Sequence, residues 1–336
     1  MAHVRREREA LLFLGLLALL PRVHLLGLGK PFWPDEDWTL EAGFMSLGSL
    51  LWRTATEDFH PPLGYLILGL WGRFLALFGV ENEVPLRLLP VLVGASVPLL
   101  LYRSLREGGV PLPYALFGSL AYALIPQGIV QDVEFRMYPL AAFWVALSLW
   151  GSLGGKPRMW AWGTLLALWT HYLAGVVAFS LGLRFGNAKI LLWPVAGFLP
   201  WVPFALLQMT KVNEVAHWNG TPGERLVEVG QLLGSVAEPV LLVLGLGYWT
   251  LGLLGLLGRQ NLLPVVLAVG LLFLLGFQPV SPRYLPPLLP LLAYGAALFA
   301  SRLGPIGYLL LFWPLAWAYL LPWAVVAYWK TYWPTF

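Results

Sequence analysis

Hydrophobic residues in this chain come in long runs, and polar residues come in short clusters between them. Residues 10–28 make the first run, enough as a helix to cross about 30 Å of hydrocarbon. Further runs predict spans near 84–104, 112–130, 138–153, 157–170, 172–185, 189–209, 236–257, 261–277, 284–301 and 305–328, eleven in all. Stretches such as Leu16 to Leu20 and Val240 to Leu257 lack the two-residue alternation of an outer-membrane barrel. The predicted fold class is therefore an all-α polytopic membrane protein.

Between the first two runs lies a polar and aromatic stretch, residues 29–83, read as the first outer loop. Within it, 37–52 and 61–79 each pattern as one helix. The second is apolar from Pro62 to Gly79 but is interrupted by Arg73, so both are expected to lie along the outer surface. Making 61–79 a span would invert everything after it, and charge decides against that. In the surface-helix scheme Arg5, Arg6, Arg8, Arg103, Arg106, Lys156, Arg158, Arg184, Lys189, Arg259 and Arg302 fall on the cytoplasmic side. Only Glu7, Glu9 and Glu107 oppose them there, as the positive-inside rule requires. The spans 157–170 and 172–185 are short and form a hairpin whose tip, His171-Tyr172, faces outward. A second large outer loop covers 210–235. The whole of 1–336 reads as one membrane domain, with no soluble C-terminal domain expected.

Composition sharpens this picture. Charged residues are 11% of the chain against about a quarter in soluble domains, and 59% of residues are hydrophobic. With no cysteine, disulfides, thiolate metal sites and cysteine nucleophiles are excluded. Eighteen Trp suit interfacial belts, while 28 Pro and 36 Gly suit broken helices. The first run follows Arg5, Arg6 and Arg8 without a small-residue cleavage site, and reads as a retained anchor with a cytoplasmic N-terminus. The net charge of +4 reflects topology, not nucleic-acid binding.

The same topology sends the unusual polar residues to one face. Asp35, Glu36 and Asp37 sit between Trp33 and Trp38, directly after the first span. They are joined there by Glu57, Asp58 and His60, then Asp132, Glu134 and Arg136, then His171, His217 and Arg283. Carboxylates at a membrane face are costly to hold unless they meet water, a cation or a substrate. Arginine can clamp a phosphate, and acids and imidazoles can take a proton or hold a divalent cation. Each residue also has a plain structural reading. Glu134 and Arg136 can form an ion pair, His60 can cap a helix before its two prolines, and His171 can be a satisfied hairpin tip. His217 can be loop surface, and Arg283 can snorkel to the interface.

In this order the motifs resemble the GT-C glycosyltransferases, specifically the protein O-mannosyltransferase and aminoarabinose (lipid A) transferase group. Asp35-Glu36 is similar to the Asp-Glu pair of that group's first outer loop. Phe59-His60-Pro61-Pro62-Leu63-Gly64-Tyr65 resembles its His-Pro-Pro-Leu segment, and Pro85-Leu86-Arg87-Leu88-Leu89-Pro90 with Gly94 its Arg-led span. Gln131-Asp132-Val133-Glu134-Phe135-Arg136-Met137-Tyr138 is similar to a Gln-Glu-Ala-Arg-Met-Tyr segment. Thr170-His171-Tyr172 and Pro282-Arg283-Tyr284-Leu285-Pro286 complete the likeness, which covers most of the chain. Asp58 and Phe59 stand where the aminoarabinose branch has an acid and a lysine, and no counterpart of the large C-terminal outer domain common in the group is expected.

The resemblance implies inverting transfer of a sugar from a polyprenyl-phosphate donor to an acceptor hydroxyl on protein, lipid or glycan. It implies this at the extracytoplasmic face of a bacterial cytoplasmic membrane, with membrane lipids as the other partners and no nucleic acid. Asp35 is then the expected catalytic base, with Glu36 beside it in the catalytic pair. His60, Glu134, Arg136, Tyr138, His171, Arg283 and Tyr284 are expected to bind substrate. A divalent metal ion is a candidate cofactor, with Asp58, His60 and His217 as its candidate ligands. The rivals are a carrier for a lipid-linked sugar and an inactive scaffold of the same fold. The carrier class calls for paired halves and polar residues at the bilayer midplane, and neither pattern is evident in the sequence.

Overall fold

A computed structural model describes residues 2–80, 82–215, 250–257 and 286–311, and every regular element among them is helical. Three helical stretches are long and apolar enough to cross a membrane: Glu7–Leu26, Glu83–Glu107 and Ala188–Lys211. Shorter apolar helices at Leu63–Ala76, Tyr138–Leu153 and Tyr172–Phe185 accompany them.

Helix α5 (Glu83–Glu107) is the central post. It packs against α1 (Ala2–Leu26), α6 (Leu112–Ala123) and α8 (Tyr138–Leu153), and α8 continues into a layer with α9 (Pro157–Thr170) and α10 (Tyr172–Leu181). Helix α11 (Ala188–Phe198) lies against α9. On the other flank α13 (Leu289–Arg302) packs on α6, where a Cβ placed on Gly118 would come within 2.4 Å of the Ala297 Cβ. Small residues let such helix backbones approach closely. The short α14 (Pro305–Leu311) follows α13.

Several predicted elements are divided. The stretch 37–52 is two helices, α2 (Pro34–Phe44) and α3 (Leu47–Glu57). Ser46 stops the first and caps the second, its hydroxyl accepting the Ser49 amide at 3.2 Å. The predicted span 112–130 breaks between α6 and α7 (Pro126–Asp132), because the residue before a proline is driven out of helical geometry. Ile125, with ψ of 118°, is that residue. Around Pro200 the 189–209 run passes through a 3-10 turn, Leu199–Trp201, before resuming as α12 (Val202–Val215). Helix α10 ends likewise in a 3-10 turn, Gly182–Phe185. Residues 250–257 carry the described end of the 236–257 segment. The 261–277 segment lies outside the described residues, as do parts of 284–301 and 305–328.

Helix α4 (Leu63–Ala76) crosses α2 at a glycine pair. A Cβ on Gly43 would lie 2.5 Å from the Gly69 Cα, and one on Gly69 would lie 2.4 Å from the Gly43 Cα. Arg73, which interrupts the apolar pattern of α4, donates to the carbonyls of Gly43 and Met45 at the end of α2. That satisfies acceptors a helix C-terminus leaves open.

The charged residues gather at two opposite ends of α5. At its C-terminal end Glu7 meets Tyr102 and Arg103, at 3.1 and 3.3 Å, and Glu107 meets Lys156 at 2.7 Å. At its N-terminal end Arg87 receives Glu36. Sixteen helical residues separate Arg87 from Arg103, about 24 Å at 1.5 Å per residue.

Candidate functional site

The N-terminal end of α5 is where the stretch 30–60 folds back on the segment between α7 and α8. Pro34 opens α2 with a φ already suited to a helix, and Asp35, Glu36 and Asp37 fill its first turn, where the helix dipole favours negative charge. Successive helical residues point about 100° apart, so the three carboxylates face three directions. Asp37 faces solvent, Glu36 is wholly buried, and Asp35 lies between, with its side chain 34% exposed.

Glu36 is held on both oxygens. Arg87 donates from Nε to Oε1 at 2.8 Å and from Nη2 to Oε2 at 2.7 Å, and the Phe135 amide donates to Oε1 at 2.6 Å. Lys30 Nζ stands 3.9 Å from Oε2. Arg87 also donates to the carbonyls of Lys30 and Pro31, so one guanidinium ties the chain before α2 to its first turn. Glu36, expected beside Asp35 as a catalytic group, is thus enclosed and fixes the turn from behind.

The segment 131–138 supplies the opposite wall, and all of it is buried. Its alternate residues each find a partner from the first forty residues of the chain. Asp132 pairs with Arg22 of α1, at 2.6 and 2.8 Å. Glu134 pairs with Lys30 at 3.4 Å. Arg136 donates from Nη1 to the Asp35 carbonyl and to Thr39 Oγ1, both at 2.8 Å. Glu134 and Arg136 thus reach different partners, Lys30 and the start of α2. Burial lowers the pKa of the Lys30 amine, against the opposing pull of Glu134 and Glu36.

Arg136 is the hub of the site. Its Nη2 faces the Asp35 carboxylate at 3.7 Å, wider than a hydrogen bond. Its guanidinium carbon lies 5.9 Å from the Tyr65 ring centre and 5.8 Å from that of Tyr138. Beyond Tyr138 come the two imidazoles: His60 and His171 have ring centres 5.2 Å apart, with Tyr138 6.4 and 6.0 Å from them.

His60 lies in the turn between α3 and α4. Asp58 Oδ1 takes His60 Nδ1 at 3.1 Å and the Phe59 amide at 2.7 Å. From α12, Gln208 donates to the carbonyls of Thr54 and His60, and Tyr172 in turn bonds Gln208 and accepts from Trp201. Burial alone would raise the Asp58 pKa, but His60 and Arg136 outweigh it and hold the carboxyl below its usual range. His171 closes the α9–α10 hairpin and is buried at its tip. Burial, with His60 and the Arg136 guanidinium close by, holds its imidazole well below the usual range, so it is neutral at pH 7.

The Asp58–His60 contact fits a carboxylate orienting an imidazole, with Nε2 the ring nitrogen Asp58 does not engage. Among the described residues no three acids or imidazoles converge as a metal cage would need. His217, Arg283 and Tyr284 lie outside the described residues. Of the predicted site residues, the structure brings Asp35, Glu36, Asp58, His60, Glu134, Arg136, Tyr138 and His171 to one end of the bundle. It adds Lys30, Thr39, Tyr65 and Gln208, which the sequence reading passed over, and gives Arg22 and Arg87 their carboxylate partners. The signal for Arg22 was present, since a cation inside an apolar run needs a partner. The chain matches no family model, no curated protein and no solved structure.

Proposed function

We propose that the chain is a GT-C-type membrane glycosyltransferase of eleven spans, moving a sugar from a polyprenyl-phosphate donor to an acceptor hydroxyl at the extracytoplasmic face. The observation that carries this reading is Asp35: a partly exposed carboxylate facing Arg136, at the same end of the bundle as the Asp58–His60 pair and His171. A carboxylate within reach of both solvent and a fixed cation suits a base that receives a proton from a hydroxyl. The motif resemblance supports the same assignment.

In this reading the acceptor oxygen gives its proton to Asp35 and forms a bond to the anomeric carbon. The bond from that carbon to the phosphate oxygen breaks, and the phosphate departs with the electron pair. One displacement inverts the anomeric centre and needs no covalent enzyme intermediate. Arg136 orients Asp35 through the α2 backbone and Thr39. His60, braced by Asp58, and Arg283 are the groups assigned to the leaving phosphate, where cationic or hydrogen-bonding stabilisation is needed most. Neutral His171 stands beside His60, with ring centres 5.2 Å apart.

Membranes containing the full chain, supplied with a radiolabelled polyprenyl-phosphate sugar, test the reaction class. A new glycosidic product, with release of polyprenyl phosphate, is the expected result. Movement of intact labelled lipid across sealed vesicles without product would replace the transferase with the carrier.

A further inference from the structure

At the other end of α9, about 20 Å from His171 by helical rise over fourteen residues, α9 and α11 part around a cleft of about 490 Å³. Its walls repeat one arrangement. Arg158 and Trp162 stand four residues apart on α9, and Lys189 and Trp193 stand four apart on α11. Residues at that spacing share a helix face, so each helix presents a cation one turn before an indole. The two indoles meet edge to face, with ring centres 4.6 Å apart, over a floor that includes Ala161 and Ile190.

The four side chains Arg158, Trp162, Lys189 and Trp193 are all exposed. Arg158 and Lys189 make no side-chain ion pair among the described residues, whereas neighbouring Lys156 is spent on Glu107. Among the described residues no acid lines the cleft. Among the described residues no side chain caps the first turn of α9. The charge therefore calls for an anion. The indoles one turn deeper call for something apolar attached to it, because Trp favours the level where headgroup gives way to hydrocarbon.

We propose that this cleft binds the headgroup of an anionic phospholipid in the leaflet opposite the Asp35 face. The phosphate sits between Arg158 and Lys189, and the glycerol and first methylenes lie on Trp162 and Trp193. Two basic side chains near an anionic lipid strengthen its binding on the order of tenfold. The inference rests on the chain spanning a membrane and not on sugar transfer.

Native mass spectrometry of the full chain, delipidated in detergent and given phosphatidylglycerol and phosphatidylcholine at equal concentration, reads it out. Wild type is expected to retain phosphatidylglycerol by about tenfold over phosphatidylcholine. Arg158→Gln with Lys189→Gln is expected to reduce that preference to about one. Arg8→Gln with Arg302→Gln removes the same charge at exposed positions elsewhere and should keep the preference. Equal retention of both lipids by wild type, an unchanged preference in the cleft variant, or the same loss in the control would overturn the proposal. Displacement of the lipid by inorganic phosphate, but not by chloride at matched ionic strength, would overturn it in favour of a soluble anion. A chain that stays in the aqueous phase without detergent would instead remove the membrane reading beneath it.

Discussion

Glu36 and Arg87, fifty-one residues apart in sequence, meet through two parallel hydrogen bonds of 2.7 and 2.8 Å with neither side chain more than 3% exposed. This pair fixes the first turn of α2 and so fixes where Asp35 stands. Removing one member of a buried pair strands the other charge, at a cost of about 3–5 kcal/mol, whereas removing both leaves no charge behind. Glu36→Gln and Arg87→Met alone are expected to lower the unfolding midpoint in detergent strongly, and the double variant less than their sum. Additive losses in a double-mutant cycle would contradict the coupling.

Arg22 and Asp132 form the second enclosed pair, and Gly94 makes room for it. A Cβ on Gly94 would come within 2.1 Å of the Asp132 carboxyl carbon. Gly94→Ala is expected to displace that carboxylate and destabilise the fold by about 1–3 kcal/mol, as overpacking does. Arg22→Met is expected to cost more, because it strands Asp132. Wild-type thermal stability in Gly94→Ala would show that the contact yields easily.

The crossing of α2 and α4 places the same demand on Gly69. With a methyl group there, the backbones must separate. Since α2 carries Asp35, Gly69→Ala is expected to lower turnover as well as stability, while Leu70→Ala, at an exposed position on α4, leaves turnover near wild type. Equal turnover in the two variants would detach the crossing from the site.

How far the sequence disclosed all this depends on the kind of signal. The apolar runs around α1, α5 and the α11–α12 stretch were legible because length and hydropathy alone define such helices. The clustering of Asp35, His60, Arg136 and His171 was legible because the topology expected from charge asymmetry would send them to one face. The roles inside the cluster were not. Asp35, Glu36 and Asp37 look alike in sequence, and only the helical rotation of α2 turns Glu36 inward to Arg87. Glu134 and Arg136 look like a local pair, yet each pairs with a residue about a hundred positions away. The break at Met45-Ser46 was readable from the Ser46 cap, but the apolar pattern on either side obscured it.

His171 gives a pH signature. Its folded-state pKa lies well below the usual 6.5, so the unfolded chain takes the proton first as pH falls. The residue contributes nothing to stability above about 6.5 and destabilises progressively below it. Asp58 acts the other way. Its stabilisation is present above the usual 3.8 and is lost only at lower pH, outside the range between pH 7 and 5. Within that range His171→Gln is expected to show a shallower fall in unfolding midpoint than wild type. Parallel slopes would contradict a neutral, buried imidazole.

The role of Asp35 as base is tested most directly by turnover of a labelled polyprenyl-phosphate sugar by Asp35→Asn in membranes, beside wild type. Asparagine preserves shape but cannot accept the proton, and general-base catalysis contributes typically about 10²–10⁴-fold. A loss of that order is expected, with the thermal midpoint of Asp35→Asn close to that of wild type, since Asp35 is partly exposed and touches Arg136 mainly through its carbonyl. Wild-type turnover by a correctly folded Asp35→Asn chain would contradict it.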